Sequence, residues 1–224
     1  MKTVGKGLLS ASLGLISFGA LLFVPAGTLH YWQAWVFLAV FAGSTWIPVV
    51  YLMRTNPAAL DRRMRVGPLA ETRTLQRIVI TALFICFPAL FVLSALDHRL
   101  GLSTVPTTVC LLGDVLVATG LGLAMVVIIQ NGYAAANVTV EPGQTLVSTG
   151  LYGLVRHPMY TGNVLLMLGT PLALGSYWGL VLLVPGMALL VLRILDEEQL
   201  LTQELSGYRE YTGRVRYRLL PYVW

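Results

Sequence analysis

Met159 to Leu192 reads MYTGNVLLMLGTPLALGSYWGLVLLVPGMALLVL, 34 residues without one charged side chain. A single helix of that length would rise about 51 Å, and the hydrocarbon core of a bilayer is only ~30 Å thick. The stretch is therefore too long for one span. Gly175-Ser176 falls in its middle and supplies a turn. The sequence predicts a helical hairpin with arms Met159–Leu174 and Ser176–Leu192, each on the short side for a full crossing.

Four further charge-poor blocks precede it. Gly7–Val24, Tyr31–Met53 and Ile78–Leu96 carry no charge, and Thr107–Ile129 carries only Asp114. With the hairpin they predict about six membrane helices. Open strands are excluded, because unpaired backbone groups in lipid cost several kcal/mol each. A β-barrel is excluded because the blocks do not alternate apolar and polar. The expected fold class is all-α, a polytopic integral membrane protein.

Composition agrees. Of the 224 residues 56% are hydrophobic and 11% charged, and the mean hydropathy is +0.75. Soluble domains carry roughly 25% charged residues. An ordinary soluble enzyme, a disulfide scaffold and a disordered tail are all excluded. Cys86 and Cys110 lie inside apolar stretches with no Cys/His cluster, so no metal site is expected. The net charge of +5 speaks to topology rather than to nucleic acid. With six spans, the N-terminus, 54–77, 130–158 and the C-terminal tail share one side. They hold 14 of the 15 Lys and Arg residues, Arg99 being the exception. That side is expected to be cytoplasmic. Gly7–Val24 could alternatively be a signal peptide, but its apolar run is longer than the usual 7–15 residues, so a retained helix is expected.

Three polar segments lie on that side: 54–77, 130–158 and 193–224. The Arg-rich 54–77 reads most simply as a topology signal contacting anionic lipid. In 150–160, GLYGLVRHPMY, Pro158 suits the first turn of a helix. His157 then sits at or near the N-cap, where free N–H groups suit an anionic ligand group. The plainer reading makes Arg156 and His157 interfacial anchors and Tyr152 and Tyr160 belt aromatics. In 193–201, RILDEEQLL, Arg193 and Glu197 are four apart and share a helical face, with Glu198 turned about 100° away. Arg193 is either a functional group at membrane depth or a snorkelling side chain paired with Glu197. The basic, aromatic stretch from Gly207 to Trp224 either anchors on the membrane surface, the simpler reading, or folds back over a pocket. Asp114 is expected to make a polar packing contact or to sit at the outer interface. Gly120 and Gly122 read as close-packing positions between helices.

Arg-His-Pro-Met-Tyr, Glu197-Glu198, Tyr-Arg-Glu-Tyr and the Leu-Pro-Tyr-Val-Trp ending occur together. Over about 137–222 this combination resembles the isoprenylcysteine carboxyl methyltransferase family, and more broadly the membrane methyltransferases that include phospholipid N-methyltransferases. The resemblance implies S-adenosylmethionine as cofactor, in a cytosolic-face pocket. It implies a cofactor-lining role for Gln144, Thr145, Leu146 and Val147, and for Tyr152, His157, Pro158, Met159 and Tyr160. Glu197 matches a glutamate at the cofactor, Asn137 a polar cofactor contact, and Arg193 an arginine associated with the methyl acceptor. Arg193 and Glu197 are the implied catalytic pair.

The expected organisation is four N-terminal spans over 1–130 and a methyltransferase core over 131–224. The expected activity is methyl transfer to a lipophilic small-molecule or lipidated acceptor, with membrane lipids as partners and no nucleic acid. Carboxylate O-methylation is the first reading. Phospholipid N-methylation and thiol methylation are alternatives. An NADPH-dependent enzyme of the sterol-reductase type and a non-enzymatic transporter or subunit are readings from other classes.

Overall fold

The computed structural model describes residues 2–64, 67–134 and 136–224, and side chains from residue 12 onward, Met64 excepted. Arg65 lies outside the described residues, as do the side chains of Lys2 and Lys6, so their share of the charge count has no structural counterpart. Every regular element among the described residues is helical: α1 (Lys2–Ala26), α2 (Trp32–Thr55), α3 (Pro57–Met64), α4 (Thr74–Leu100), α5 (Thr107–Gln130), α6 (Pro158–Ala173), α7 (Leu183–Glu204) and α8 (Tyr208–Arg214). Single 3-10 turns cover Pro68–Ala70, Gly150–Gly153 and Trp178–Leu182.

By length and composition four helices can cross a membrane: Trp32–Thr55, Thr74–Leu100, Thr107–Gln130 and the run Trp178–Glu204. The apolar part of α1, Ser12–Ala26, is shorter, and α6 has 16 residues. The protein is an all-α polytopic membrane protein. The expected hairpin forms, with different bounds. Its first arm is Pro158–Ala173. Its second arm opens with the 3-10 turn and then runs as α7 to Glu204, well past the predicted end at Leu192. The extension carries Arg193 and Glu197 on helix, as their spacing required.

Three short turns gather at one end. Each contains a glycine in the left-handed region: Gly27 at φ 67°, Gly101 at φ 64° and Gly175 at φ 70°, where a Cβ would be strained. Buried side chains tie the turns together. Tyr31 Oη donates to the Leu174 carbonyl at 2.6 Å and its ring stacks on His98 at 3.8 Å. Ser176 and Ser103 both donate to Asp97 Oδ2, at 2.5 and 2.7 Å. Antiparallel helices then carry 54–77, 130–158 and 193–224 to the opposite end.

Lipid is as apolar as leucine, so membrane helices associate through close packing rather than through exclusion of water. The most extensive helix pair is α5 with α6, and glycines make it. A Cβ on Gly120 would lie 2.5 Å from the Gly162 carbonyl oxygen, and one on Gly169 would lie 2.7 Å from that of Gly113. Gly120 packs as expected. Gly122 does not: a Cβ there meets nothing within 4 Å, because it faces away from α6. Asp114 also departs from expectation. It is buried, and neither carboxylate oxygen has a hydrogen-bond partner among the described residues. On α1, α2 and α4, Phe18, Phe37, Phe41, Phe87 and Phe91 interlock as an aromatic core.

Candidate functional site: a cavity roofed by three polar segments

At the end opposite the glycine turns lies a cavity of about 290 Å³, near the lower bound for small-molecule sites. Its lining holds all twelve residues singled out from sequence. Asn137, Gln144, Thr145, Leu146 and Val147 come from the α5–α6 connection, and Tyr152 from its 3-10 turn. His157, Pro158, Met159 and Tyr160 form the start of α6, and Arg193 and Glu197 lie one turn apart on α7. Ile80 and Leu83 of α4 and Leu190 of α7 add an apolar wall among the helices.

Arg193 and Glu197 do not pair directly; Tyr160 stands between them. Arg193 Nε donates to Tyr160 Oη at 3.0 Å, and Tyr160 Oη donates to Glu197 Oε2 at 2.5 Å. Three further N–H groups of the guanidinium are occupied. Nη1 reaches Glu71 Oε1 at 2.9 Å and Gln76 Oε1 at 2.8 Å, and Nη2 reaches the Ala136 carbonyl at 2.8 Å. Arg193, Glu71 and Gln76 are all buried. Arg193 therefore does not snorkel. A guanidinium has five N–H donors, and four of them are engaged by protein acceptors.

Glu198 is a second hub, outside the cavity lining. Arg156 Nε and Arg218 Nε donate to it at 2.6 and 2.9 Å, and His157 Nε2 lies at 3.2 Å. The backbone follows. Arg156 N–H donates to the Tyr217 carbonyl and His157 N–H to that of Arg218, each at 2.9 Å. Thr161 Oγ1 adds a bond to the Leu219 carbonyl at 2.7 Å. The C-terminal tail thus folds back rather than anchoring on a surface. It closes the α6 start in the same move. The His157 N–H is used by the tail, and the Tyr160 and Thr161 N–H groups turn back on the His157 carbonyl. The free N–H cradle expected there is largely consumed. Arg156 and His157 are buried, not interfacial anchors.

The 54–77 segment departs most from its sequence reading. It is a wall of the site rather than a lipid contact alone. Asn56 caps α3 through Ala59 N–H at 3.0 Å. Arg62 then grips Glu141 through Nε at 3.1 Å and stacks on Tyr133, 5.0 Å from its centroid. Arg63 lines the cavity, with Nη1 3.2 Å from Met159 Sδ. Burial, and Arg193 nearby, push its pKa below the ordinary arginine value, while Tyr160 and Tyr152 oppose that. Arg73 makes a fork on Asp196, at 2.8 and 2.6 Å. Glu71 also accepts from Val138 N–H at 3.0 Å, and Asn137 Nδ2 donates to the Ala70 carbonyl at 3.2 Å.

Sequence reasoning missed Arg63, Glu71, Gln76, Asn131, Tyr133, Tyr208 and Tyr211. One signal was available: a buried arginine needs a carboxylate partner, and Glu71 is one of only two acids, with Asp61, in the Arg-rich 54–77 segment. Tyr208 and Tyr211 come from α8 and line the cavity. Burial raises both phenols above the ordinary value, so both are neutral donors. Tyr208 Oη is buried with no hydrogen-bond partner among the described residues. A phenol in that state at a cavity wall suits a ligand acceptor atom.

The architecture defines a class: an all-helical membrane protein with a tyrosine-rich, carboxylate-bearing cavity at one end of its helices. The comparisons narrow it. The model of the phospholipid methyltransferase family matches residues 108–209, from the first turn of α5 into α8. Over that segment the chain is similar to the phospholipid methyltransferase family, one of the membrane methyltransferases that the Arg-His-Pro-Met-Tyr and Glu-Glu motifs resemble. The Delta(14)-sterol reductase of Mus musculus is 36% identical over 90 residues, 39% of this chain and 22% of that protein. The chain thus matches only about a fifth of that relative's length.

Proposed function

We propose that the protein transfers a methyl group from S-adenosylmethionine to a lipophilic acceptor that reaches the cavity from the bilayer, on the cytoplasmic side indicated by the Lys and Arg distribution. One observation carries the reading. The twelve residues that the methyltransferase resemblance singles out converge on a single cavity, although they lie on a loop and two helices.

The residues fit the donor. When bound, S-adenosylmethionine supplies an electrophilic methyl carbon on a sulfonium. Glu197 offers a negative charge to that cation, and Tyr152, Tyr160, Tyr208 and Tyr211 offer rings for the adenine and the sulfonium. The unpartnered Tyr208 hydroxyl gives the ligand a donor. A carboxylate acceptor, already an anion, would take the methyl group with no proton to lose and would need no base from the protein. For an amine acceptor one proton must also leave. Glu197 is the carboxylate at the cavity for that task, since Glu198 is engaged by three basic side chains. Transfer needs the acceptor about 3–3.5 Å behind the methyl carbon. Holding that alignment is the work of the buried Arg193–Tyr160–Glu197 chain.

A second reading keeps a place because of the 36% identity to a sterol reductase over 90 residues: an NADPH-dependent reductase at the same cavity. Calorimetry on detergent-purified protein separates the two. S-adenosylhomocysteine is expected to bind, and to lose affinity in Glu197→Ala. Binding of NADPH in its place overturns the methyltransferase reading.

A further inference from the structure

We infer that Asn163 is the acceptor-specificity residue of the cavity: its side-chain amide, on α6 about one turn beyond Tyr160, donates a hydrogen bond to a carbonyl-type oxygen in the head of the lipophile to be methylated. The inference rests on the methyltransferase reading and deepens it.

The cavity has an inner end, and its lining changes there. α4 and α6 run away from the polar segments, and α7 runs towards them. The lining residues farthest from those segments are therefore Ile80 and Leu83 on α4, Asn163 on α6 and Leu190 on α7. Ile80, Leu83 and Leu190 belong to helical runs long and apolar enough to cross a membrane, and they suit a hydrocarbon tail. Asn163 is the polar exception in this wall. It lies inside the uncharged run Met159–Leu192, about 7.5 Å along the helix axis from Pro158.

The Asn163 side chain makes no hydrogen bond among the described residues. The polar groups beside it are already engaged. Tyr160 bonds to Arg193 and Glu197, and Arg193 bonds further to Glu71, Gln76 and Ala136. An amide set in an apolar wall lowers stability unless a partner bonds to it. A molecule entering the cavity supplies that partner.

The position also fits the reaction. Asn163 and Tyr160 are three apart on α6, so their Cβ atoms are neighbours at about 5–6 Å. An oxygen held on Asn163 is thereby brought next to the Tyr160–Glu197 bond, where this reading holds the sulfonium. The amide is an uncharged donor, so it can grip a carboxylate or an ester carbonyl. With a carboxylate head, the gripped group is itself the methyl acceptor. With an ester lipid, the grip on the carbonyl leaves an amine on the headgroup to face the methyl carbon. The shared chemistry is the carbonyl-type oxygen, and the probes tell the two apart.

The test uses the full chain in a non-ionic detergent saturated with S-adenosylhomocysteine. Dodecane, methyl dodecanoate and dodecanoate are titrated into wild type, Asn163→Leu and Asn163→Ala. Partition into detergent is common to the three proteins, so the ratio of headed to headless affinity is compared between them. Both variants are expected to lower that ratio about fivefold or more for at least one headed probe, as the loss of one hydrogen bond allows. A drop confined to dodecanoate identifies a carboxylate head, and one confined to methyl dodecanoate an ester carbonyl. The Tm of Asn163→Leu is expected to equal or exceed that of wild type, and S-adenosylhomocysteine affinity to change less than about twofold. Asn163→Ala reads the same ratio without added bulk, and decides alone should Asn163→Leu not fold. An unchanged ratio for both headed probes overturns the inference. So does a lower Tm in Asn163→Leu together with an unchanged ratio in Asn163→Ala, the mark of a structural amide. Failure of wild type to bind S-adenosylhomocysteine overturns the methyltransferase reading instead. The probes are then titrated without it, and the same ratios still decide the role of Asn163.

Discussion

Glu71 and Arg193, 122 positions apart, form a buried ion pair with Oε1 and Nη1 2.9 Å apart. One partner lies in the loop before α4 and the other at the middle of α7. The pair fastens the 54–77 segment, which lies outside the matched family region, to the helix that bears Glu197. A buried pair is weak evidence for stability as such, but removing one partner leaves an uncompensated charge.

Glu71→Gln should therefore lower stability by about 3 kcal/mol or more. Thermal unfolding in detergent reads this as a fall in Tm. An unchanged Tm would mean that Gln76 and Ala136 satisfy Arg193 without the carboxylate.

Tyr160→Phe removes the hydroxyl that links Arg193 to Glu197. Two polar groups lose a partner in a buried site, at a cost of roughly 1–3 kcal/mol. S-adenosylhomocysteine should bind more weakly, because Glu197 is then free to turn. Unaltered affinity in calorimetry would remove Tyr160 from the list of positioning residues.

Glu198→Gln weakens three contacts with Arg156, His157 and Arg218 together. The tail should open more often. Amide exchange at Arg218 and Leu219, whose N–H groups bond to the Trp224 carbonyl at 2.8 and 2.9 Å, should quicken by about tenfold or more. Exchange as slow as in wild type would show that backbone bonds alone hold the tail.

Gly120→Ala puts a methyl 2.5 Å from the Gly162 carbonyl oxygen. Backbone cannot yield as a flexible side chain can, so α5 and α6 must part, at about 1–3 kcal/mol. Gly122→Ala, two residues on and facing open space, should be neutral or slightly stabilising. The contrast in Tm between the two variants is the measurement. Equal effects would argue against the close approach.

The helical class was legible because a bilayer allows few solutions: uncharged runs of span length must close their own backbone hydrogen bonds. The hairpin was legible from 34 uncharged residues broken at Gly175-Ser176. The cavity lining was legible in its α5–α6 loop, its α6 start and its α7 face, where motif residues lie close in sequence. The partners of those residues were not legible. Nothing in 54–77 distinguishes Arg63 at a cavity from Arg62 on Glu141, or Arg73 on Asp196 from an arginine at lipid headgroups. An arginine's role is set by what lies within about 3 Å of its guanidinium, and chain spacing does not encode that across loops. The tail was misjudged for the same reason. A basic, aromatic stretch suits a membrane surface equally well until Glu198 is seen to face it.

The sequence by itself determined the solvent: its long uncharged runs commit this chain to helices in a bilayer, because only hydrogen-bonded backbone survives there. It also determined which chemical groups are on hand at the polar end. Tertiary structure alone decided how they are used. It routed Arg193 to Glu71 and Gln76, placed Tyr160 between Arg193 and Glu197, folded the tail onto Glu198 and brought Arg63 to the cavity. The physical reason is that a buried charge must find a partner wherever the fold offers one, and the fold offers it from segments the sequence keeps far apart.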